Sequence, residues 1–401
     1  MALILNRKYF WAYHLLILVL ILLDERVILK SASYITLSLL AIPLLWASLF
    51  SINDDIRLII QSMIYLTTPV IFTFLGMQIG RIASKRLVLK YVVYAGTVGA
   101  IYYVVLSFYT LGLKIFSDPY TMREITWWGS ITSIAAIFIV LFSEKYGIRL
   151  FKRKSLKYLI AAVNTCAVYF TASRSYYFVF LIFLFIFLSG YKKRLAIPLG
   201  LLYGLGAVIL LSLNVDNKLI AKIQSVSIET DIGEYYSESE INTQYRGHET
   251  YMALKTYTGG SPLNLLLGHG LEKQVDLGAY IKLGDSYRRI IPVLHNGYVY
   301  LLIKEGLLGL IFVLGFLLYI FRLKGREPKD KLIRQMVIAC AISLMVTNIF
   351  IGTFFSIEMS IVWVLFGVYM VHANRIEAMG NQRIKRGPIY RKSPAILRQN
   401  G

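Results

Sequence analysis

The run NGYVYLLIKEGLLGLIFVLGFLLYIF, residues 296–321, decides the fold. A helix rising about 1.5 Å per residue needs roughly 20 apolar residues to cross about 30 Å of hydrocarbon, and this stretch is longer than that. Its only charges are Lys304 and Glu305, which at membrane depth must pair with each other or sit by a polar cavity. Working outward from it, ten further runs read as membrane helices: 9–23, 33–51, 58–79, 87–110, 127–143, 155–172, 175–190, 195–214, 335–353 and 355–374. The pair 155–172 and 175–190 is short enough to be tilted or partly re-entrant. The fold expected is an all-α polytopic membrane protein of about eleven transmembrane helices, with ten and twelve as alternatives. Its parts are membrane helices over 1–214, a large loop with short helices over 215–294, membrane helices over 295–374 and a basic tail over 375–401.

Composition points the same way. Of 401 residues 57% are hydrophobic and 16% charged, and the mean hydropathy is +0.61. Soluble chains carry about 25% charged residues, so lipid must cover part of this surface. Cys166 and Cys340 both lie in apolar runs, which excludes a disulfide scaffold, a thiolate zinc site and a CxxC redox pair. A cleavable signal peptide is not expected, because the first run lacks a small-residue cleavage site and ends in Asp24, Glu25 and Arg26.

Orientation follows from the basic residues behind the net charge of +21. Clusters at 81–90, 145–157, 192–194 and 322–334, with the tail after 374, hold more than half of the 43 lysines and arginines. An alternating path puts all of them on one side, the cytoplasmic one. The opposite segment 215–294 carries ten acidic residues against eight basic ones. Positive charge here reports topology and affinity for anionic membrane lipids; a folded basic face with stacking aromatics, as nucleic acid requires, is missing. Eleven spans with an inward C-terminus place the N-terminus outside, against the preference of Arg7 and Lys8, so the first 50 residues stay open between ten and twelve spans.

The sequence has no GxxxxGK[ST] phosphate loop and no HExxH, and its five histidines (14, 248, 269, 295, 372) have no metal-ligand spacing. Three outward places gather polar residues instead. Thr171-Ala172-Ser173-Arg174 separates two apolar runs, and an arginine there anchors at the interface or faces a polar cavity. Tyr245-Arg246-Gly247-His248-Glu249 opens a helix that runs to Thr258 and stops at Gly259-Gly260-Ser261-Pro262, with a second turn at Leu267-Gly268-His269-Gly270. Arg246 is either a ligand contact or the ion-pair partner of Glu249. Ser286-Tyr287-Arg288-Arg289 leads to Pro292 and then His295-Asn296, where Asn296 caps the next membrane helix and His295 stands where chain enters membrane.

In this order the residues resemble the O-antigen ligase and Wzy-type polymerase superfamily: Ser173-Arg174, then Arg246 with the Leu267-Gly268-His269-Gly270 turn, then His295-Asn296 running into Glu305-Gly306-Leu307-Leu308-Gly309. The resemblance implies an enzyme of the bacterial inner membrane with a large periplasmic loop. It implies transfer of a saccharide from undecaprenyl diphosphate to an acceptor sugar, either the lipid A core (ligase) or a lipid-linked saccharide (polymerase), by inversion and without metal or other cofactor. By motif, Arg174 and Arg246 would bind the diphosphate and His295 would be catalytic, acting at the acceptor; Arg288 and Arg289 are further diphosphate candidates. The residue types suit those tasks, since guanidinium forks match phosphate oxygens and imidazole titrates near neutrality.

Two rival readings carry their own tests. Asp54 and Asp55 form an acidic pair in an external loop, as a metal-dependent glycosyltransferase would have, yet they equally read as a helix cap. A lipid-linked-oligosaccharide flippase is the other class, although such transporters usually show internal repeats and the sequence shows none.

Overall fold

A computed structural model describes residues 31–51, 55–125, 131–191, 231–283, 286–323 and 328–385. The apolar runs 9–23 and 195–214, the first part of the large loop and the basic tail beyond 385 lie outside the described residues. The described chain is mostly helical. Its helices before the loop segment are α1 (Ser31–Leu49), α2 (Ile56–Ile82), α3 (Lys85–Leu111), the short α4 (Pro119–Ile125), α5 (Ile131–Phe142), α6 (Lys154–Phe170) and α7 (Arg174–Tyr191). After the loop segment come α11 (Gly297–Arg322), α12 (Pro328–Thr347) and α13 (Ser360–Lys385). Three stretches, Ile56–Ile82, Lys85–Phe116 and Gly297–Arg322, are long and apolar enough to cross a membrane; Leu37–Leu49, Arg174–Gly190 and Ile357–Ala373 are shorter apolar helices.

Lipid offers no hydrophobic drive between helices, so they associate by close packing. The α2–α13 pair shows how: a methyl on Gly76 would overlap the Val364 carbonyl oxygen, and one on Gly367 would overlap that of Thr73. Around α5 the packing is aromatic instead. Residues Ile131–Val140 are all buried, and Phe138 meets Phe180, Phe183 and Phe187 of α7 at ring separations of 5.2–5.5 Å. A helix apolar on every side belongs in the middle of a bundle, and α3, α6 and α7 surround this one. The basic clusters near Arg81–Lys90, Lys145–Lys157 and Arg322 fall at the helix ends opposite the loop segment, where Lys85 pairs with Asp330.

The loop segment departs from the all-α expectation. It contains α8 (Glu238–Thr243), α9 (Tyr245–Thr258) and α10 (Pro262–Leu267), followed by an antiparallel hairpin of β1 (Val275–Leu283) and β2 (Ser286–Ile291). The signal was in the alternation: Val275, Leu277 and Ile281 are buried while Asp276, Gly278 and Tyr280 are exposed. Period two is the mark of a half-buried strand. Ser237 and Glu240 close a reciprocal capping box on α8. The stop expected after Thr258 is the observed end of α9.

Candidate active site

α11 and the loop segment meet at two places, and both are built around a histidine. The first is a break in the helix. Gly306 has φ 72° and ψ −171°, which interrupts the hydrogen-bond ladder of α11 and leaves carbonyls without their usual donors. The turn at 267–271 inserts there. The His269 amide donates to the Ile303 carbonyl at 2.7 Å, and Trp46 Nε1 of α1 donates to that of Glu305 at 3.1 Å. Two glycines make the approach feasible: a methyl on Gly268 would lie 2.5 Å from the Lys304 carbonyl oxygen, and one on Gly306 would overlap the Gly268 nitrogen.

Lys304 is 1% exposed and turns to this segment rather than to Glu305. Its ammonium donates to the carbonyls of Leu271 and Lys273 at 2.5 and 2.7 Å. Ser62 donates to the same Leu271 carbonyl, and the Leu271 amide donates to Ser51, so the turn is tied to α1, α2 and α11 together. The His269 ring serves this anchorage. Its Nε2 lies 3.2 Å from the Tyr257 carbonyl, which can only accept, so Nδ1 accepts from the Asn264 amide at 3.1 Å. Burial pushes the His269 pKa below its ordinary 6.5.

The second place is the head of α11. Asn296 caps it as its position in the sequence suggests, accepting from the amides of Tyr298 and Val299 at 3.1 and 3.3 Å. His295 stands just before the cap, its side chain 44% exposed. Its Nδ1 is 2.8 Å from Glu249 Oε2, and its backbone amide donates to Oε1 of the same carboxylate. Glu249 is 1% exposed, so the carboxylate is held almost out of solvent and its two oxygens fix both ring and backbone. A carboxylate oxygen accepts from Nδ1–H, and in the neutral ring Nε2 then presents a lone pair. Nε2 has no protein partner among the described residues. Tyr245 completes the wall, its ring edge-on to the imidazole at 5.6 Å. Burial and its hydrogen bond to Glu249 push the Tyr245 phenol well above its ordinary range, so it stays a neutral donor.

Glu249 was read in the sequence only as a possible partner for Arg246. The structure gives it to His295, 46 positions away. Arg246 precedes Glu249 by three on α9 and so lies beside it on the helix. Arg246 is partly buried and Arg174 is 7% exposed; both have protein partners. Arg174 opens α7 directly after Ala172 and Ser173, with Ala172 held at φ 43°. The head of α7 reaches the head of α11 through the loop at 348–359. There the Gly297 amide donates to the Asn348 carbonyl at 2.9 Å, and a methyl on Gly352 would stand 3.2 Å from the Leu294 carbonyl oxygen.

The hairpin arginines are placed differently. Arg289 spends its fork on Asp276 across the strands, Nε–Oδ1 2.8 Å and Nη2–Oδ2 2.9 Å, which holds the Asp276 carboxyl below its usual range. Arg288 is exposed on the same strand. His248, next to Glu249 in sequence, is 2% exposed; its Nε2 donates to the Leu277 carbonyl at 2.8 Å and its Nδ1 accepts from the Tyr235 amide at 3.2 Å. Asp55 accepts from the Arg57 amide at 2.9 Å and caps α2, while Asp54 lies outside the described residues. Among the described residues, no group of three His, Cys, Asp or Glu side chains gathers as a metal ion would need.

No curated protein and no solved structure matches the chain. A family model described as O-antigen ligase does, over residues 159–314, a stretch that takes in Arg174, Arg246, Glu249, His295 and the Gly306 break. Over those residues the chain is similar to the O-antigen ligase family.

Proposed function

We propose that this chain transfers a saccharide from undecaprenyl diphosphate to an acceptor hydroxyl at the periplasmic face of the bacterial inner membrane, as an O-antigen ligase acting on the lipid A core. The observation that carries the proposal is the open Nε2 of His295, held by a buried carboxylate at the head of a membrane helix. In a single in-line displacement the acceptor oxygen attacks the anomeric carbon, and its proton passes to Nε2. The bond from that carbon to the diphosphate oxygen breaks, and its electron pair leaves with undecaprenyl diphosphate. One displacement inverts the anomeric centre.

Glu249 holds the imidazole in the tautomer that can take the proton and balances the imidazolium that forms, the task of the carboxylate in a hydrolase triad. Arg174 and Arg246 meet the charge growing on the diphosphate, where fixed cations in a water-poor site do most. No metal is required on this route, and transfer that survives EDTA is the expected result. Arg289, engaged with Asp276, and Arg288 shape the hairpin beside the site in this scheme.

A deletion strain complemented with Arg174→Ala, Arg246→Ala and His295→Ala tests the reading through its surface polysaccharide. Loss of core-attached polymer with lipid-linked polymer accumulating is the ligase outcome. Single-repeat caps on the core would make the chain a polymerase using the same residues. Movement of lipid-linked saccharide across liposomes without a new glycosidic bond would replace both with a flippase.

A further inference from the structure

Glu358 lies two residues ahead of α13, in the loop that joins the heads of α7 and α11. Its carboxylate is partly buried and has no hydrogen bond or ion pair among the described residues. It lines a narrow cleft of about 20 Å³, room for one water-sized group. Ser175, Tyr176 and Val179 from the first turns of α7 form one wall, and Thr353 and Ser356 share the other with Glu358. The Ser175 hydroxyl also has no partner among the described residues. The cleft therefore begins one residue after Arg174, and the loop forming its far wall has Gly352 against the Leu294 carbonyl, next to His295.

A partly buried carboxylate that only accepts hydrogen bonds selects what can enter. It repels a diphosphate, which must stay on the arginine side, and it favours a neutral group rich in O–H donors. We propose that this cleft is a saccharide subsite, in which Glu358 accepts hydrogen bonds from a hydroxyl-bearing arm of the sugar being transferred or receiving it. The proposal rests on the transferase reading above and adds to it the place where a sugar hydroxyl is gripped. Glu358 is a specificity residue here: it orients a hydroxyl and takes no part in bond breaking. The competing role is electrostatic, a carboxylate complementing the N-terminus of α13.

Three variants separate the two roles. Glu358→Asp keeps the charge near the helix head but withdraws it from the cleft by one methylene. Glu358→Gln keeps the length and loses the charge. Ser175→Leu fills the cleft from the opposite wall. The probe is the lipid-linked saccharide pool extracted from a strain deleted for this protein, offered to the full chain in membranes. Losing a hydrogen bond to a charged group raises KM about tenfold, so all three variants are expected to show that rise with kcat within about twofold of wild type. Unchanged KM in Glu358→Asp and Ser175→Leu, with a lower thermal midpoint in Glu358→Gln alone, would assign Glu358 to the helix head and overturn the subsite. Wild-type protein that transfers nothing from the pool would instead overturn the transferase reading, and the subsite with it.

Discussion

His295 and His269 both stand where the loop segment touches α11, and they are wired in opposite senses. At the Gly306 break the imidazole is saturated: Nε2 faces a carbonyl, Nδ1 accepts from an amide, and the ring serves as a structural clamp. At the helix head Nδ1 faces the Glu249 carboxylate, and Nε2 has no partner among the described residues. His248, one residue from Glu249, is wired like His269. Residue type alone does not separate a clamp from a base. What separates them is the partner of the second nitrogen, and among these three a buried carboxylate supplies it only once.

Breaking the dyad should have the largest effect. His295→Ala is expected to lower kcat by about 10²–10⁴, the usual worth of a positioned base, with membrane abundance unchanged. Initial rates normalised to folded protein check this, and near-normal turnover would remove His295 from the chemistry. Glu249→Gln comes next, at about 10–100-fold in kcat. The new amide keeps the volume but can turn an N–H toward Nδ1, which drives the ring into the Nε2–H tautomer that cannot accept the acceptor's proton. A Glu249→Gln protein as active as wild type would reduce the contact to packing.

On the clamp side the signature is reversed. His248→Ala leaves the buried Leu277 carbonyl and the part-buried Tyr235 amide unmet, costing about 1–3 kcal/mol of stability. Turnover per folded molecule should stay within about twofold, as measured by chemical unfolding beside activity. A larger loss of turnover would bring His248 into the site.

The smallest effect is the pH dependence of the His269 clamp. Its folded pKa is depressed below 6.5, so the unfolded chain binds a proton there more readily than the folded one. Stability from this group is full above pH 6.5 and falls as pH drops through the window between 6.5 and the lowered folded value. Thermal midpoints taken from about pH 7 to pH 5 should decline less steeply in His269→Asn than in wild type. Equal slopes would show that His269 is not the titrating clamp.

Much of this was legible in the sequence. Hydropathy found the run at 296–321 that became α11, and side-chain chemistry marked Asn296 as its cap. The turn signals at 259–262 and 267–270 marked the end of α9 and the hook into α11. The hairpin was missed although Val275, Leu277 and Ile281 alternate with neighbours that face out. The reading there followed charge and motif, and a strand of this length in a loop makes a weak signal beside membrane runs. For Lys304 the sequence left open a pair with Glu305 or a polar cavity. Adjacent helix positions do not face each other, and the carbonyls of Leu271 and Lys273 take the ammonium.

What the chain by itself determined was a one-dimensional sorting. Apolar length, basic clusters and glycines dictate which segments cross lipid and which turn, because the transfer cost of each residue depends on its own side chain. What only the tertiary structure decided was pairing. The meeting of Glu249 with His295, the entry of His269 at the Gly306 break and the cleft beside Glu358 all depend on segments far apart in the chain. A hydrogen bond is set by direction and distance in space, and no local pattern records which distant atom completes it.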